Sequence, residues 1–254
     1  MAKYPVYSAF AEIYDQVMRD VDYEGWSRHL IDLANRYGVK VNKILDLACG
    51  SGSMLLCLLK NGYEASGLDL SETMLRLASE KFKKAGFAVP LYRTSMESFS
   101  RLKLPRNFDL IACLYDSLNY ILDENGLISC FTDVYKHLRP GGVFIFDVTT
   151  EYNLLHNFAG YTFAENFDKA SYIWENEYDV IKKICNSKVT VFYEEDGQYK
   201  KQIEMHTQRV YPTSDLLEML HNEGFDTLGA FHNMTQKPVE EKCERIHFVC
   251  RKPE

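Results

Sequence analysis

The chain has 254 residues, of which 46% are hydrophobic and 26% charged, as is typical of a soluble globular protein with one large or two small domains. Its 29 basic and 36 acidic residues give a formal charge of −7 without a long basic run, so a nucleic-acid partner is not expected. No apolar run approaches the ~18 residues that span a membrane. Seven scattered cysteines without a C-x-x-C pair indicate a reduced, cytoplasmic setting.

The first predicted elements are two amphipathic helices. Phe10, Ile13, Tyr14 and Val17 lie at helical spacing, and a second helical stripe begins at Trp26. Strands and helices then alternate, which predicts a parallel sheet with right-handed crossovers. The strands are predicted at 43–48, 64–70, 89–94, 108–115 and 142–148, and the intervening helices at 53–62, 71–87 and 124–138.

The pattern changes after residue 150. Two-residue alternation and the turn sequence EEDGQ predict an antiparallel meander. A helix capped by Thr213 or Ser214 and closed by Gly224 should follow, and then two strands near 225–232 and 244–251.

These elements predict an α/β domain with a late insertion. Residues 1–150 and 211–254 should form the α/β domain, in which residues 8–37 act as a lid. Residues 151–210 should form an antiparallel β insertion that covers a substrate site. On one insertion strand His206 shares a face with Glu204 and Gln208, which predicts either the wall of a polar pocket or a solvated sheet face.

The stretch ILDLACGSGSM combines a strand that ends near an acid with a glycine turn. Gly50 and Gly52 allow backbone to approach a ligand, but a dinucleotide fingerprint needs a further glycine where Leu55 stands, and Asp46 would repel a pyrophosphate. Asp69 ends the second strand, 19 residues after Gly50, and can accept hydrogen bonds from ribose hydroxyls. The ligand should therefore carry a ribose and a positive charge. S-adenosylmethionine fits.

Several motifs continue in a familiar order, namely GLDLSETML, SME, FDLIACLYDSLNY and LRPGGVFIFDV. With ILDLACGSG, they resemble the successive motifs of the class I S-adenosylmethionine-dependent methyltransferases across residues 43–148. The opening YSAFAEIYDQVMRDVDYEGW and the β insertion resemble, more loosely, a bacterial subgroup that contains sugar-amine N-methyltransferases. The resemblance implies a Rossmann-like fold with a seven-stranded, mostly parallel sheet whose last strand is antiparallel.

The resemblance also implies a set of cofactor contacts. Residues near the glycine turn would border the methionine moiety. Residues after Asp69 would contact the ribose and adenine, and residues that end the fourth strand would face the adenosyl group. Tyr14 would close over the cofactor. The family more often has an aspartate where Ser95 stands. With Asp46, Gly52 and Asp69, the implied residues are Tyr14, Ala48, Cys49, Gly50, Leu70, Met74, Ser95, Met96, Glu97, Leu114 and Tyr115.

The implied reaction is methyl transfer by SN2 displacement to N, or O, of a small organic acceptor. An amine needs only to be bound deprotonated, whereas a hydroxyl needs a base, for which Asp116 is the first candidate and His247 the second. Asn119 should face the substrate. No metal-ligand spacing is present among the histidines and cysteines.

Three other functions stay open at this point. One is a methyltransferase that acts on tRNA, a ribosomal component or protein, against which the acidic charge and the absence of an N-P-P-Y motif argue. The second is a non-catalytic protein that binds S-adenosylmethionine. The third is another enzyme on this fold, such as an aminopropyl transferase, whose glycine motif is normally more acidic than CGSG. The sequence identifies neither the acceptor nor the oligomeric state, which could be a monomer or a homodimer.

Overall fold

A computed structural model describes residues 6–254, in which seven strands form one sheet and four form a second. The helices are α1 Ala9–Val17, α2 Tyr23–Arg36, α3 Ser53–Lys60, α4 Glu72–Lys84, α5 Glu124–His137, α6 Glu151–Asn153 and α7 Thr213–Asn222. The strands are β1 Lys43–Leu47, β2 Glu64–Asp69, β3 Leu91–Arg93, β4 Phe108–Cys113, β5 Leu138–Thr149, β6 Thr162–Asn166, β7 Ala170–Asp179, β8 Ile184–Glu195, β9 Gln198–Arg209, β10 Asp226–His232 and β11 Arg245–Arg251.

The large sheet has the strand order β10-β11-β5-β4-β1-β2-β3. Its strands are parallel except for β11, which pairs antiparallel with both β10 and β5. This arrangement confirms the predicted Rossmann-like sheet with an antiparallel last strand. Because parallel strands end at the same edge, the loops after β1, β2, β4 and β5 lie side by side there.

Apolar side chains cover both faces of this sheet. On one face, α5 and α7 pack over β4 and β5 around Phe131, Phe144 and Phe146, none of which is exposed. On the other face, α2, α3 and α4 contribute a second cluster that includes Leu30 and Leu55. Burial of a large apolar side chain contributes about 1.5–3 kcal/mol. The two clusters therefore hold the edge that carries the loops in place.

The second sheet consists of β6, β7, β8 and β9, all antiparallel, which confirms the predicted meander. The β8–β9 hairpin turns at Asp196 and Gly197, whose φ angles of 52° and 74° suit a two-residue turn of the primed type. Phe10 and Ile13 of α1 pack against this sheet at Val189. The first helix therefore lies between the two sheets.

Three details differ from the sequence prediction. Helix α7 begins after Pro212 without a side-chain cap, so the predicted Thr213 or Ser214 cap is wrong; the Ser214 hydroxyl instead donates to Asp215. Strand β5 begins at Leu138, where it pairs with Phe108, and not at residue 142. The short α6 continues as a π-helical turn, Leu154–Phe158, which was not predicted.

Among residues 6–254, no helix is both long and apolar enough to cross a membrane.

Candidate active site

The turn between β1 and α3 uses its two glycines differently. At Gly50 (φ +55°), no atom lies within 4 Å of the place where a Cβ would stand, so this side of the turn faces open space. At Gly52 (φ +78°), a Cβ would lie 2.5 Å from Phe82 Cζ and 3.0 Å from Ala78 Cβ. The space beside Gly50 is therefore open, whereas Gly52 is required for packing against α4. Ala48 also adopts a positive φ of 58°.

Asp69 is held rigidly at the end of β2. Its Oδ2 accepts the Gly50 N–H at 2.9 Å and its Oδ1 accepts the Ser71 N–H at 2.8 Å. Burial raises the pKa of Asp69, and the hydrogen bonds from Ser71, Gly50 and Leu70 oppose that rise. Since a carboxylate oxygen can accept more than one hydrogen bond, both oxygens keep acceptor capacity for ribose hydroxyls.

Asp46 lies at the neighbouring strand end and is only 4% exposed. Its carboxyl group has no hydrogen-bond partner among residues 6–254. Burial, with a further contribution from the charge of Asp69, raises the pKa of Asp46 to about 8. A buried carboxylate without a partner is costly unless a cation compensates it. Asp46, together with the open space at Gly50, thus fits a ribose-bearing cation such as S-adenosylmethionine.

The loop that follows β4 is fixed by a residue that sequence reasoning missed. Tyr115 (φ 60°) and Asp116 (φ 50°) both adopt left-handed backbone conformations, which cost about 1–3 kcal/mol each when nothing compensates them. Asp147, at the end of β5, accepts both of their N–H groups, at 2.7 and 2.8 Å. The clue in the sequence was available: like Asp46 and Asp69, Asp147 is an acid at the end of a buried strand.

Asp116 stands at the centre of the polar groups around this loop. Its Oδ1 lies 2.5 Å from Nη2 of Arg245, and its Oδ2 accepts a hydrogen bond from Gln208 Nε2 at 2.6 Å. Arg245 also binds Asp147. Burial raises the pKa of Asp116, and the Arg245 charge opposes the rise. Because the Arg245 guanidinium is paired with this carboxylate, Asp116 is better suited to orient the loop than to remove a proton.

Comparison with known proteins agrees with this geometry. The family described as "Methyltransferase domain" matches residues 44–142. The chain is 31% identical over 251 residues to a putative methyltransferase of Geobacillus sp. (strain WCH70), covering 97% of this chain and 99% of that protein. It is 32% identical to an S-adenosylmethionine-dependent methyltransferase of known structure from Clostridium acetobutylicum, with a TM-score of 0.84 and coverage of 98% and 100%. The chain belongs to the S-adenosylmethionine-dependent methyltransferases.

A more distant relative acts on an amino sugar. The dTDP-3-amino-3,4,6-trideoxy-alpha-D-glucopyranose N,N-dimethyltransferase of Streptomyces venezuelae is 29% identical over 137 residues, which cover 53% of this chain and 55% of that protein. The resemblance to the sugar-amine N-methyltransferases is confirmed at this level. S-adenosylmethionine is the cofactor of the methyltransferase.

Other residues predicted near the cofactor lie at the rim or inside the core. Leu70 is 68% exposed beside Asp69, whereas Met74 is buried on α4. The side chain of Cys49 packs where a Cβ on Gly67 would stand, and burial raises the pKa of its thiol. Leu114 packs beneath α2 in the apolar cluster on that face. The exposed Leu70 is thus available to a ligand, while the other three stabilise the surrounding walls.

The SME motif, which the resemblance predicts to lie near the cofactor, is internally bonded. The Ser95 hydroxyl donates to Glu97 Oε2 at 3.0 Å, and the Glu97 N–H donates back to Ser95 Oγ at 3.2 Å. The Glu97 carboxyl group also lies against Gly126 at the start of α5, and Met96 packs on the core. Ser95, which stands where the family more often has an aspartate, therefore orients Glu97.

One residue predicted as catalytic is bonded to backbone at both ends of its amide. Asn119 is fully buried; its Nδ2 donates to the Arg209 carbonyl at 2.7 Å and its Oδ1 accepts the Thr149 N–H at 3.1 Å. Because both ends of its amide bind backbone, Asn119 joins the loop to β5 and β9 and does not face a substrate.

His247 is enclosed in β11. Its ring lies 5.2 Å from that of Trp26 and 5.1 Å from that of His29, and neither of its nitrogens has a hydrogen-bond partner in the described part of the chain. Burial, and after it the nearby His29 and Arg245, lowers the pKa of His247 to about 3. This placement does not favour the predicted role as a base.

Helix α1 covers the glycine turn. The Ser51 hydroxyl donates to Asp15 Oδ1 at 2.5 Å, and Lys81 Nζ lies 2.8 Å from Asp15 Oδ2. The neighbouring Tyr14 places its ring edge-on to that of Tyr7, with centroids 5.9 Å apart. Asp15 was not singled out from the sequence, because its partners lie 36 and 66 residues away.

A cavity opens on the other side of the loop. The Tyr115 ring stacks on Trp26 with centroids 4.4 Å apart, and the Arg245 guanidinium lies 5.8 Å from both rings. Beyond Trp26 and Arg245 the cavity measures about 520 Å³. Its lining includes Trp26, Asn153, Asn157, Phe158, Phe163 and Met234. Within residues 6–254, no cluster of histidine, cysteine or acidic side chains is suited to hold a metal ion.

Proposed function

We propose that this methyltransferase transfers the methyl group of S-adenosylmethionine to a nitrogen, or an oxygen, of a small organic acceptor bound in the cavity beyond Trp26 and Arg245. The cavity is the observation that carries the proposal. Its volume of about 520 Å³ lies in the range of ~300–1,000 Å³ that is usual for small-molecule sites. Amide and aromatic side chains line it together, a combination that suits a ring bearing hydroxyl or amino groups.

The acceptor class is supported by chemistry and by similarity. The amino sugar dimethyltransferase of Streptomyces venezuelae is related to this chain over about half of each protein, 53% and 55%. The formal charge of −7 disfavours tRNA as the acceptor. An amine acceptor is also the simpler case, because it reacts once it is bound deprotonated. We therefore infer an amine-bearing small molecule.

The proposed cofactor contacts follow from the two strand-end acids. Asp69 would accept hydrogen bonds from the ribose, and the unpartnered Asp46 would face the positively charged part of the cofactor. The open side of Gly50 leaves room for the backbone to approach it. When bound, the cofactor supplies a methyl group on a positively charged sulfur. Tyr14 would close this site from α1.

The protein's own contribution is alignment. Asp147 holds the Tyr115–Asp116 backbone, and Arg245 pairs with the carboxylates of Asp116 and Asp147. The Trp26–Tyr115 stack forms a wall between the loop and the cavity. A well-aligned pair of reactants can gain about 7–11 kcal/mol over free encounter. We further infer that residues 8–37 act as a lid and that residues 151–210 cover the acceptor, since α1 packs between the glycine turn and the second sheet.

A substrate screen tests this proposal. The protein is incubated with S-adenosylmethionine and with panels of amino sugars, nucleotide-linked amino sugars, other amines and hydroxyl metabolites, while release of S-adenosylhomocysteine is measured. We expect turnover with a small amine and none with the Asp69→Ala variant. Methyl label that enters only tRNA or protein in a cell extract, with no turnover on any panel, would overturn the small-molecule assignment.

A further inference from the structure

Only two of the side chains that line the cavity beyond Trp26 carry a charge. Among the described residues of this lining, they are Glu244 and Arg245, and the other polar side chains are asparagine amides. An amide offers hydrogen-bond donors and acceptors but has no net charge. The charge that a ligand meets in the cavity therefore depends on how far the rest of the protein neutralises Glu244 and Arg245.

Arg245 is neutralised by two acids. Its Nη2 lies 2.5 Å from Asp116 Oδ1, and its Nη1 binds Asp147 Oδ2. Burial lowers the pKa of Arg245, but the charges of Asp116 and Asp147 outweigh it, so the net pKa is raised. One guanidinium thus pairs with two carboxylates, and the three groups together add no positive charge to the cavity.

Glu244 is exposed, yet it is held in place. Its carbonyl accepts the Thr150 N–H at 3.2 Å, and its Oε1 accepts a hydrogen bond from Asn157 Nδ2 at 3.1 Å. Asn157 Nδ2 also donates to Asn153 Oδ1 at 2.9 Å, and Asn153 Nδ2 donates to Thr149 Oγ1 at 2.9 Å. In the described part of the chain, no basic side chain pairs with Glu244 and its Oε2 has no partner. The carboxylate therefore keeps an open oxygen, and little side-chain freedom is lost when a ligand binds it.

Two other acids in this part of the chain already have partners within the protein. Glu151 of α6 accepts hydrogen bonds from Lys183 Nζ on both oxygens. Glu204 of β9 is not exposed, and it accepts the N–H groups of Tyr7 and Phe10 at 2.8 and 2.9 Å. The solvated sheet face, one of the two alternatives for this strand, is therefore wrong. In contrast to Glu244, neither acid faces the cavity.

Aromatic rings on the same lining also favour a cation. The rings of Phe158 and Phe163 meet edge to face, with centroids 5.7 Å apart, and Trp26 lies on the same lining. The face of an aromatic ring attracts a positive charge and not a negative one. An open carboxylate oxygen among aromatic rings therefore suits an ammonium group better than a phosphate.

We propose that Glu244 selects a methyl acceptor that has a protonated amino group and no phosphate; this inference rests on the proposed function. The amino group donates to Oε2 of Glu244 and keeps its proton there, because a neighbouring carboxylate favours the charged form of an amine. A protonated nitrogen has no lone pair with which to attack a methyl group. The methylated atom is therefore a second group of the same molecule, an unprotonated nitrogen or a hydroxyl oxygen. Glu244 binds the acceptor without taking part in methyl transfer.

This acceptor differs from that of the Streptomyces venezuelae relative. That protein acts on a dTDP-linked amino sugar, which contains a diphosphate. In the cavity of this chain a diphosphate would meet the charge of Glu244, and Arg245, its one basic neighbour among the described lining residues, is already paired. Because like charges repel, nucleotide-linked sugars should bind poorly. The acceptor class is thus a small diamine, or an amine that also carries hydroxyl groups, such as a free amino sugar.

Quenching of Trp26 fluorescence by ions tests the charge of the cavity without an acceptor. The chain has two tryptophans, so in Trp174→Phe the emission comes from Trp26 alone. Caesium and iodide are compared at constant ionic strength on the full-length protein with S-adenosylhomocysteine added, and each ion is normalised to its quenching of free N-acetyltryptophanamide. We expect caesium to quench Trp26 more efficiently than iodide, because the cavity attracts cations.

A matched pair of variants in the Trp174→Phe background assigns this effect to Glu244. Glu244→Gln should lower the ratio of caesium to iodide quenching by at least about twofold. Glu241→Gln removes the same charge from an exposed residue outside the lining and should leave the ratio nearly unchanged. The absence of any excess of caesium over iodide quenching, or an equal effect of the two variants, overturns the proposal.

Turnover tests the selection itself. With an acceptor from the screen, Glu244→Gln should raise KM at least about tenfold and change kcat less, while Glu241→Gln should match the wild type. Adding a phosphate to the acceptor, or an acetyl group to its unmethylated amine, should raise KM for the wild type. An unchanged KM in Glu244→Gln, or a preference for nucleotide-linked amino sugars, overturns this inference but leaves the proposed function intact. No turnover on any small molecule counts against the proposed function, and ion quenching then decides the charge of the cavity.

Discussion

In the β1–α3 turn, alanine in place of Gly52 should mainly lower stability, whereas alanine in place of Gly50 should mainly weaken cofactor binding. In Gly52→Ala the new methyl group would lie 2.5 Å from Phe82 Cζ on a backbone with φ +78°. Left-handed strain costs about 1–2 kcal/mol and overpacking about 1–3 kcal/mol, so the free energy of unfolding should fall by about 2–5 kcal/mol. In Gly50→Ala the new methyl group meets no atom within 4 Å, so only the left-handed strain should lower the free energy of unfolding.

Urea unfolding followed by tryptophan fluorescence measures the first effect, and calorimetric titration with S-adenosylmethionine measures the second. Gly50→Ala should weaken cofactor binding at least tenfold, because its methyl group enters the open space beside the turn. A double-mutant cycle with Phe82→Leu isolates the clash, since the shorter side chain should restore part of the stability lost in Gly52→Ala. Equal destabilisation by the two alanines, or a Gly52→Ala protein as stable as wild type, would refute this reasoning.

Three further outcomes are expected. S-adenosylmethionine at 100 times its Kd should raise the unfolding free energy of the wild type by about 2.7 kcal/mol. Asp69→Ala should lose most of that increase at the same concentration. An equal increase in both proteins would show that Asp69 does not bind the cofactor. Because the fold raises the pKa of Asp46 from 3.8 to about 8, the folded state keeps a proton that the unfolded state releases. The free energy of unfolding should therefore fall as pH rises from 4 to 8, and Asp46→Asn should flatten that fall in urea titrations; identical slopes would contradict the raised pKa. Asn119→Ala leaves the Arg209 carbonyl and the Thr149 N–H unpaired, at a cost of about 1–3 kcal/mol each. Thermal and urea unfolding should therefore show that the free energy of unfolding falls by about 2–6 kcal/mol. A near-neutral result would show that water replaces the amide.

The parts of the site that could be predicted are those encoded within one strand and the turn after it. Asp46 and Asp69 were recognisable because an acid after an apolar run marks the end of a buried strand, and Gly50 because the turn follows directly. The same rule would have found Asp147. Local pattern is sufficient here because parallel strands bring their ends to a common edge.

What could not be predicted depends on partners that are distant in the chain. Asn119 looked like a substrate-facing amide, but its partners are 30 and 90 residues away. The sequence pattern also allowed Glu204 to lie on a solvated sheet face, whereas its partners at the start of α1 lie 194–197 residues before it. Local sequence patterns do not identify partners that are so distant in the chain, so the contacts of these side chains become known only from the packing of the two sheets.

The bonds made by Glu204 have a practical consequence for engineering. Glu204 of the second sheet accepts N–H groups at the start of the first helix, and Asp15 ties that helix to the glycine turn. A chimera that imports residues 151–210 from a relative, in order to change which molecules are modified, would thus leave α1 without its anchor. Such a graft should carry residues 7–17 of the same donor, so that the two segments are exchanged as a matched pair.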